Sequence, residues 1–127
     1  MDYESFQAWL EAYGRAWEAQ DPEASAALYR EDALNFETPF DEPMRGVTAI
    51  RAYAAEAAAA QKDVKFSADV LAVSGDTGIA RWTASFTRVP SGVQVELDGI
   101  FLVTFDDADR CHEFREWWHR RESAPET

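Results

Sequence analysis

Residues Asp21 to Gly46 read Asp-Pro-Glu-Ala-Ser-Ala-Ala-Leu-Tyr-Arg-Glu-Asp-Ala-Leu-Asn-Phe-Glu-Thr-Pro-Phe-Asp-Glu-Pro-Met-Arg-Gly, and an Ala-rich helical pattern over 47–62 follows directly. Asp21-Pro22-Glu23 is a helix start. Asp21 can accept from free amides, Pro22 falls in the first turn where its missing N–H costs nothing, and Glu23 suits the positive helix end. The spacing predicts a short second helix over about 22–30. Leu34 to Thr38 then reads as a short strand, and Pro39, Asp41, Pro43 and Gly46 break the chain before the third helix. Ile50, Tyr53, Ala54 and Ala57 form the buried face predicted for that helix.

Upstream, Phe6, Leu10, Tyr13 and Trp17 recur at spacings of four, three and four, an aromatic stripe along one face of a first helix. Downstream, the period changes to two from Val64, where Phe66, Ala68, Val70 and Ala72 alternate with polar residues. Gly75-Asp76 turns the chain. Ile79–Val89 and Val93–Phe105 read as longer strands joined through Pro90-Ser91-Gly92, and a last strand is predicted from about Arg110 to Arg121. Helical pattern first and hairpin-linked strands after it indicate an α+β domain with a mostly antiparallel sheet.

The 127 residues fit one domain, placed at 1–122, with 123–127 as a disordered tail. Twelve basic against twenty-four acidic residues give a net charge of -12, which repels nucleic acid and anionic membrane surfaces. Met1-Asp2-Tyr3-Glu4 is acidic with no apolar core behind it, so neither a signal peptide nor a membrane span is expected and the location predicted is cytoplasmic. The single cysteine, Cys111, has no internal partner and reads as a half-buried strand residue. His112-Glu113-Phe114-Arg115-Glu116 echoes a zinc helix signature, but its second histidine is missing and the local pattern is strand. No metal and no cofactor are expected.

The run from Asp21 to Gly46 and the helix after it resemble the early part of the nuclear-transport-factor-2-like (NTF2-like) superfamily, in its SnoaL-like and ketosteroid-isomerase-like group. The resemblance extends over roughly residues 10 to 118. It implies a cone-shaped fold in which N-terminal helices pack on a strongly curved, mostly antiparallel sheet and enclose a small-molecule pocket. Tyr13 and Asp21 keep the spacing of the isomerase branch between a helix-1 tyrosine and the start of helix 2. An ungapped match from Asp32-Ala33 to Glu42-Pro43 and Gly46 puts Glu37 where that branch carries its aspartate general base. The position of its second oxyanion donor holds Phe101, and Asp98 lies three residues earlier. Asp98 falls on the opposite face unless a bulge near Gly99 shifts the register.

Glu116 is in phase with His112, Phe114 and Trp118, a set that the resemblance turns toward the pocket, while Arg115, Trp117 and His119 face outward. The candidate catalytic residues are therefore Glu37, Tyr13, Glu116 and Asp98; the candidate ligand-binding residues are Trp17, Trp82, Phe86, Phe101, Phe114 and Trp118. Each has a plainer alternative. Tyr13 serves equally as a core tyrosine, Glu37 as an exposed strand-end carboxylate, Glu116 as a partner of Arg81, and Asp98-Gly99 as a bend.

If the pocket is catalytic, its aromatic wall makes Glu37 a proton-transfer group near neutral pH and Tyr13 a donor to a developing oxyanion. That implies proton abstraction next to a carbonyl, of isomerase or cyclase type, on a small apolar molecule. The alternative is a non-catalytic binding or dimerisation module whose pocket is filled by its own side chains, given five tryptophans and eight phenylalanines. A homodimer through the convex sheet face is expected, because the late strands are apolar on both faces.

Overall fold

The computed structural model describes residues 1–125. Three helices precede most of a six-stranded sheet: α1 (Tyr3–Glu18), α2 (Pro22–Ala26), β1 (Tyr29–Phe36), β2 (Met44–Arg45), α3 (Val47–Ala60), β3 (Gln61–Ser74), β4 (Thr77–Arg88), β5 (Gln94–Phe105) and β6 (Cys111–Ser123). The sheet order is β2-β1-β6-β5-β4-β3. Only β1 and β6 run parallel; the other neighbours are antiparallel. This is the mixed, mostly antiparallel α+β arrangement expected from the order of patterns.

The helix starts form as the sequence dictates. Asp2 accepts from the Ser5 amide at 2.7 Å and Asp21 from the Ala24 amide at 3.1 Å, each satisfying a donor that the helix leaves free. The ends differ from expectation. Helix α2 stops at Ala26 rather than near residue 30, because Tyr29 enters the sheet beside Cys111, whose amide donates to the Leu28 carbonyl at 2.9 Å. Strand β1 therefore spans Tyr29–Phe36, not Leu34–Thr38, and Glu37 lies just past its end. Helix α3 stops at Ala60 instead of residue 62, since Gln61 takes an extended backbone and opens β3.

Two of the phases read from period two break at bulges. Along β3, Val70 pairs with Ala80 but Ala72 with Ile79, so Leu71 is an extra residue and is exposed. Val73, not Ala72, then continues the inward row of Phe66, Ala68 and Val70. Along β6, Glu113 pairs with Thr104 and Cys111 with Phe105, so His112 is the extra residue. Cys111 thereby turns fully inward instead of half-buried, and His112 leaves the row of Phe114, Glu116 and Trp118.

The stripe of α1 divides between two tasks. Phe6 and Leu10 are buried in the main core with Ala80, Val103, Phe105 and Phe114, whereas Tyr13 and Trp17 remain half-buried. Close docking of α1 needs Gly78, where a Cβ would run into the Phe6 ring. The tail expected from Ser123 begins inside the sheet, Ser123 pairing with Gln94, and Glu126 and Thr127 lie outside the described residues.

Candidate active site

Between α1, α2, α3 and the sheet the fold leaves a cavity of about 270 Å³. Strand alternation supplies its floor. Trp82 and Phe86 come from β4, Val95 and Leu97 from β5, Glu116 and Trp118 from β6, and Asn35 from β1. Tyr13 and Trp17 come from α1, and Ile50, Tyr53 and Ala57 from α3. Of the ten candidate residues, seven line this cavity: Tyr13, Glu37, Glu116, Trp17, Trp82, Phe86 and Trp118.

Three candidates lie elsewhere. Asp98 is on the outer face, where Arg81 grips it through Nε at 3.2 Å and Nη2 at 2.5 Å. Gly99 stays in register opposite Trp118, so no bulge brings Asp98 inward, and it is corrected to a surface ion-pair residue. The same pair removes Arg81 as a partner for Glu116. Phe101 and Phe114 are both fully buried and stand beneath the cavity rather than on its wall. Tyr13 covers them, its ring 5.2 Å from Phe101 and 5.6 Å from Phe114.

The polar groups gather at one end. Phe36 pairs with Arg115, which sets Glu37 beside Glu116 across the parallel β1–β6 ladder. The Tyr53 hydroxyl donates to Glu37 Oε1 at 2.9 Å. Glu116 lines the cavity, and burial of its carboxyl, followed by the nearby Glu37 charge, pushes its pKa up to about 8. It is therefore mostly protonated at neutral pH and can donate a hydrogen bond. Burial, then the facing Glu116, also raises Tyr13, so its hydroxyl keeps its proton throughout the physiological range. Tyr53 is raised by burial and by Glu37.

Sequence reasoning missed two members of this cluster. Asn35 is 7% exposed with its side-chain oxygen unpaired, and its signal was the i, i+2 spacing to Glu37 on one strand. Tyr53 was assigned to the buried face of α3, but it is 39% exposed at the cavity edge with its hydroxyl on Glu37. Trp82 Nε1 is a further buried donor without a partner. On the opposite rim, Trp17 Nε1 donates to Gln61 Oε1 at 2.8 Å, and Gln20 reaches the Ala58 and Gln61 carbonyls, tying α1 to the end of α3.

Among the described residues no helix is long and apolar enough to cross a membrane, and no three His, Cys, Asp or Glu side chains group as a metal site. Among curated proteins no sequence matches this chain. Solved structures share its fold. SalBIII, an epoxide hydrolase/cyclase-like enzyme of pyran ring formation in the polyether salinomycin, is 18% identical over 93% of each chain with a TM-score of 0.81. The Δ5-3-ketosteroid isomerase of Mycobacterium sp. is 18% identical over 94% of this chain and 98% of its own, with a TM-score of 0.79. A computationally designed 17-OHP binder is 18% identical over 94% and 98%, with a TM-score of 0.81. The α+β fold is thus the NTF2-like one, and the family model of the SnoaL-like domain matches residues 10–114, so the chain belongs to that family.

Proposed function

We propose that this protein carries out proton transfer next to a carbonyl on a small molecule held in the aromatic cavity. The observation that carries the reading is the pairing of two unlike carboxyls, Glu37 oriented by a tyrosine hydroxyl and Glu116 holding its proton to about pH 8. In this scheme Glu37 removes the proton from carbon, and the electron pair moves onto the carbonyl oxygen. Glu116 and Tyr13 donate hydrogen bonds to that oxygen, whose charge grows in the transition state. Return of the proton to a different carbon completes an isomerisation; attack of the enolate carbon on a second carbonyl, whose oxygen takes the proton back from Glu37, completes a cyclisation. Trp17, Trp82, Phe86 and Trp118 hold the apolar body and exclude water.

Deuterium uptake by a panel of small cyclic ketones and enones in D2O, followed by NMR, tests this directly. The wild type is expected to speed exchange, and Glu37→Gln to lose roughly 10²–10⁴-fold, the usual contribution of a positioned base. The rate should also fall as pH rises through about 8, where Glu116 gives up the proton it donates. Exchange unchanged in Glu37→Gln would overturn the assignment.

The partner proposed for the outer sheet face is a second copy of this chain. Ile79 is 36% and Trp117 44% exposed, and Ile100 pairs with Trp117 across β5–β6 while Leu102 pairs with Ile79 across β4–β5. Together they form an apolar strip flanked by the Arg81–Asp98 and Arg121–Glu96 ion pairs. Sedimentation at micromolar concentration should give a species of twice 14.3 kDa, and Trp117→Lys should shift it to the monomer. A wild-type monomer excludes this contact.

A further inference from the structure

The cavity places two carboxyls in an aromatic enclosure, and among the described residues neither is paired with a cation. Among the described residues Glu37 is hydrogen-bonded by a neutral phenol, Tyr53, and has no ion pair. Among the described residues Glu116 has no ion pair. The two arginines on the lining, Arg88 and Arg120, are both turned to Glu122, at 2.8 and 3.4 Å, farther along β6. Asn35 adds an unpaired acceptor oxygen in the same inward phase as Glu37. Three acceptors thus converge at one end of a space walled by tyrosine and tryptophan rings, whose faces attract cations. The net charge of -12 raises the local concentration of cations further.

From this juxtaposition we infer that the ligand of the cavity carries an organic ammonium group, seated among Glu37, Glu116 and Asn35 with its apolar body against the tryptophans. The inference rests on reading the cavity as a small-molecule site, not on the proton-transfer scheme, and names the class of molecule it takes. The titratable and charged groups around the seat are Tyr13 on α1, Asp21 at the head of α2, Tyr29 on β1, Glu37 after β1, Tyr53 on α3, Arg88 on β4, and Glu116 and Arg120 on β6. The tyrosines are neutral near pH 8 and both arginines are paired with Glu122, which leaves the carboxyls to set the charge of the seat. A bound cation favours ionised Glu116, so affinity for a cation of fixed charge rises with pH toward and through 8.

Choline and 3,3-dimethylbutan-1-ol share a shape and differ in having N⁺ or carbon at the branch point, so titration calorimetry with both isolates the charge. At pH 8.5 the wild type is expected to prefer choline by on the order of tenfold, as a desolvated cation–aromatic contact with a carboxylate neighbour allows. The preference should shrink at pH 6.5 and vanish in the Glu37→Gln/Glu116→Gln double variant. Glu37→Gln alone, at the cavity edge, should halve it or more if the double variant does not fold. Equal affinity for the two probes, or a preference that survives these substitutions, overturns the inference. Uptake of 2-naphthol, an uncharged aromatic probe, separates the two readings. Naphthol binding without choline preference removes only the ammonium ligand, whereas no uptake of any of the three removes the small-molecule site as well.

Discussion

Replacing Trp82 by alanine is expected to lower the unfolding free energy by about 3–5 kcal/mol, the range usual for deleting a buried aromatic. Trp82 is 2% exposed and stacks on Phe101 at 4.7 Å and on Phe66 at 6.2 Å. Its neighbours in the inward row, Ala80 and Ala84, are too small to collapse into the space, and its cross-strand partner is Gly99. The hole would therefore merge with the cavity above it. Phe86→Ala should fall in the same range, because Phe86 joins Val64 and Val95 in a separate buried cluster. Urea denaturation measures both. Losses below about 1 kcal/mol, typical of surface positions, would contradict the strand register.

Glu116→Gln is expected to stabilise the protein at alkaline pH. The folded-state pKa, about 8, lies above the reference value of 4.5, so folding binds the proton more tightly. That contribution is fully present below pH 4.5 and is lost as pH rises through about 8. At about 1.4 kcal/mol per unit, the wild type surrenders a few kcal/mol over that window, whereas glutamine keeps the shape with nothing to ionise. Denaturation at pH 4 should find the two proteins similar, and at pH 9 the variant should be the more stable. Equal stability at pH 9 would mean that the Glu116 carboxyl is solvated.

The same carboxyl shows how far reading residues in order reaches. Period two placed Glu116 with Phe114 and Trp118 on one face, and that phase holds from Glu113 onward. It failed one step earlier, at His112, because a bulge is a property of two strands: the extra residue exists only relative to Thr104 and Phe105 across the ladder. Leu71 and Ala72 repeat the lesson on β3. Asp98 was legible as outward by alternation; what the chain order could not supply was its partner, Arg81, on a neighbouring strand.

Local chemistry alone determined the caps at Asp21, the inward stripe of α1, the turn at Gly75-Asp76 and the helices-then-hairpins order, because each depends on residues within a few positions of one another. Tertiary structure decided depth. Alternation assigns a face, but only the approach of α1 and α3 separates Phe101 and Phe114, sealed in the core, from Trp82 and Trp118, which border open space. It likewise decided that Tyr53 meets Glu37 across sixteen residues, and that Glu116, largely buried beside Glu37, keeps its proton. Burial and the electric field at a site are sums over the whole fold, and no stretch of the chain carries them by itself.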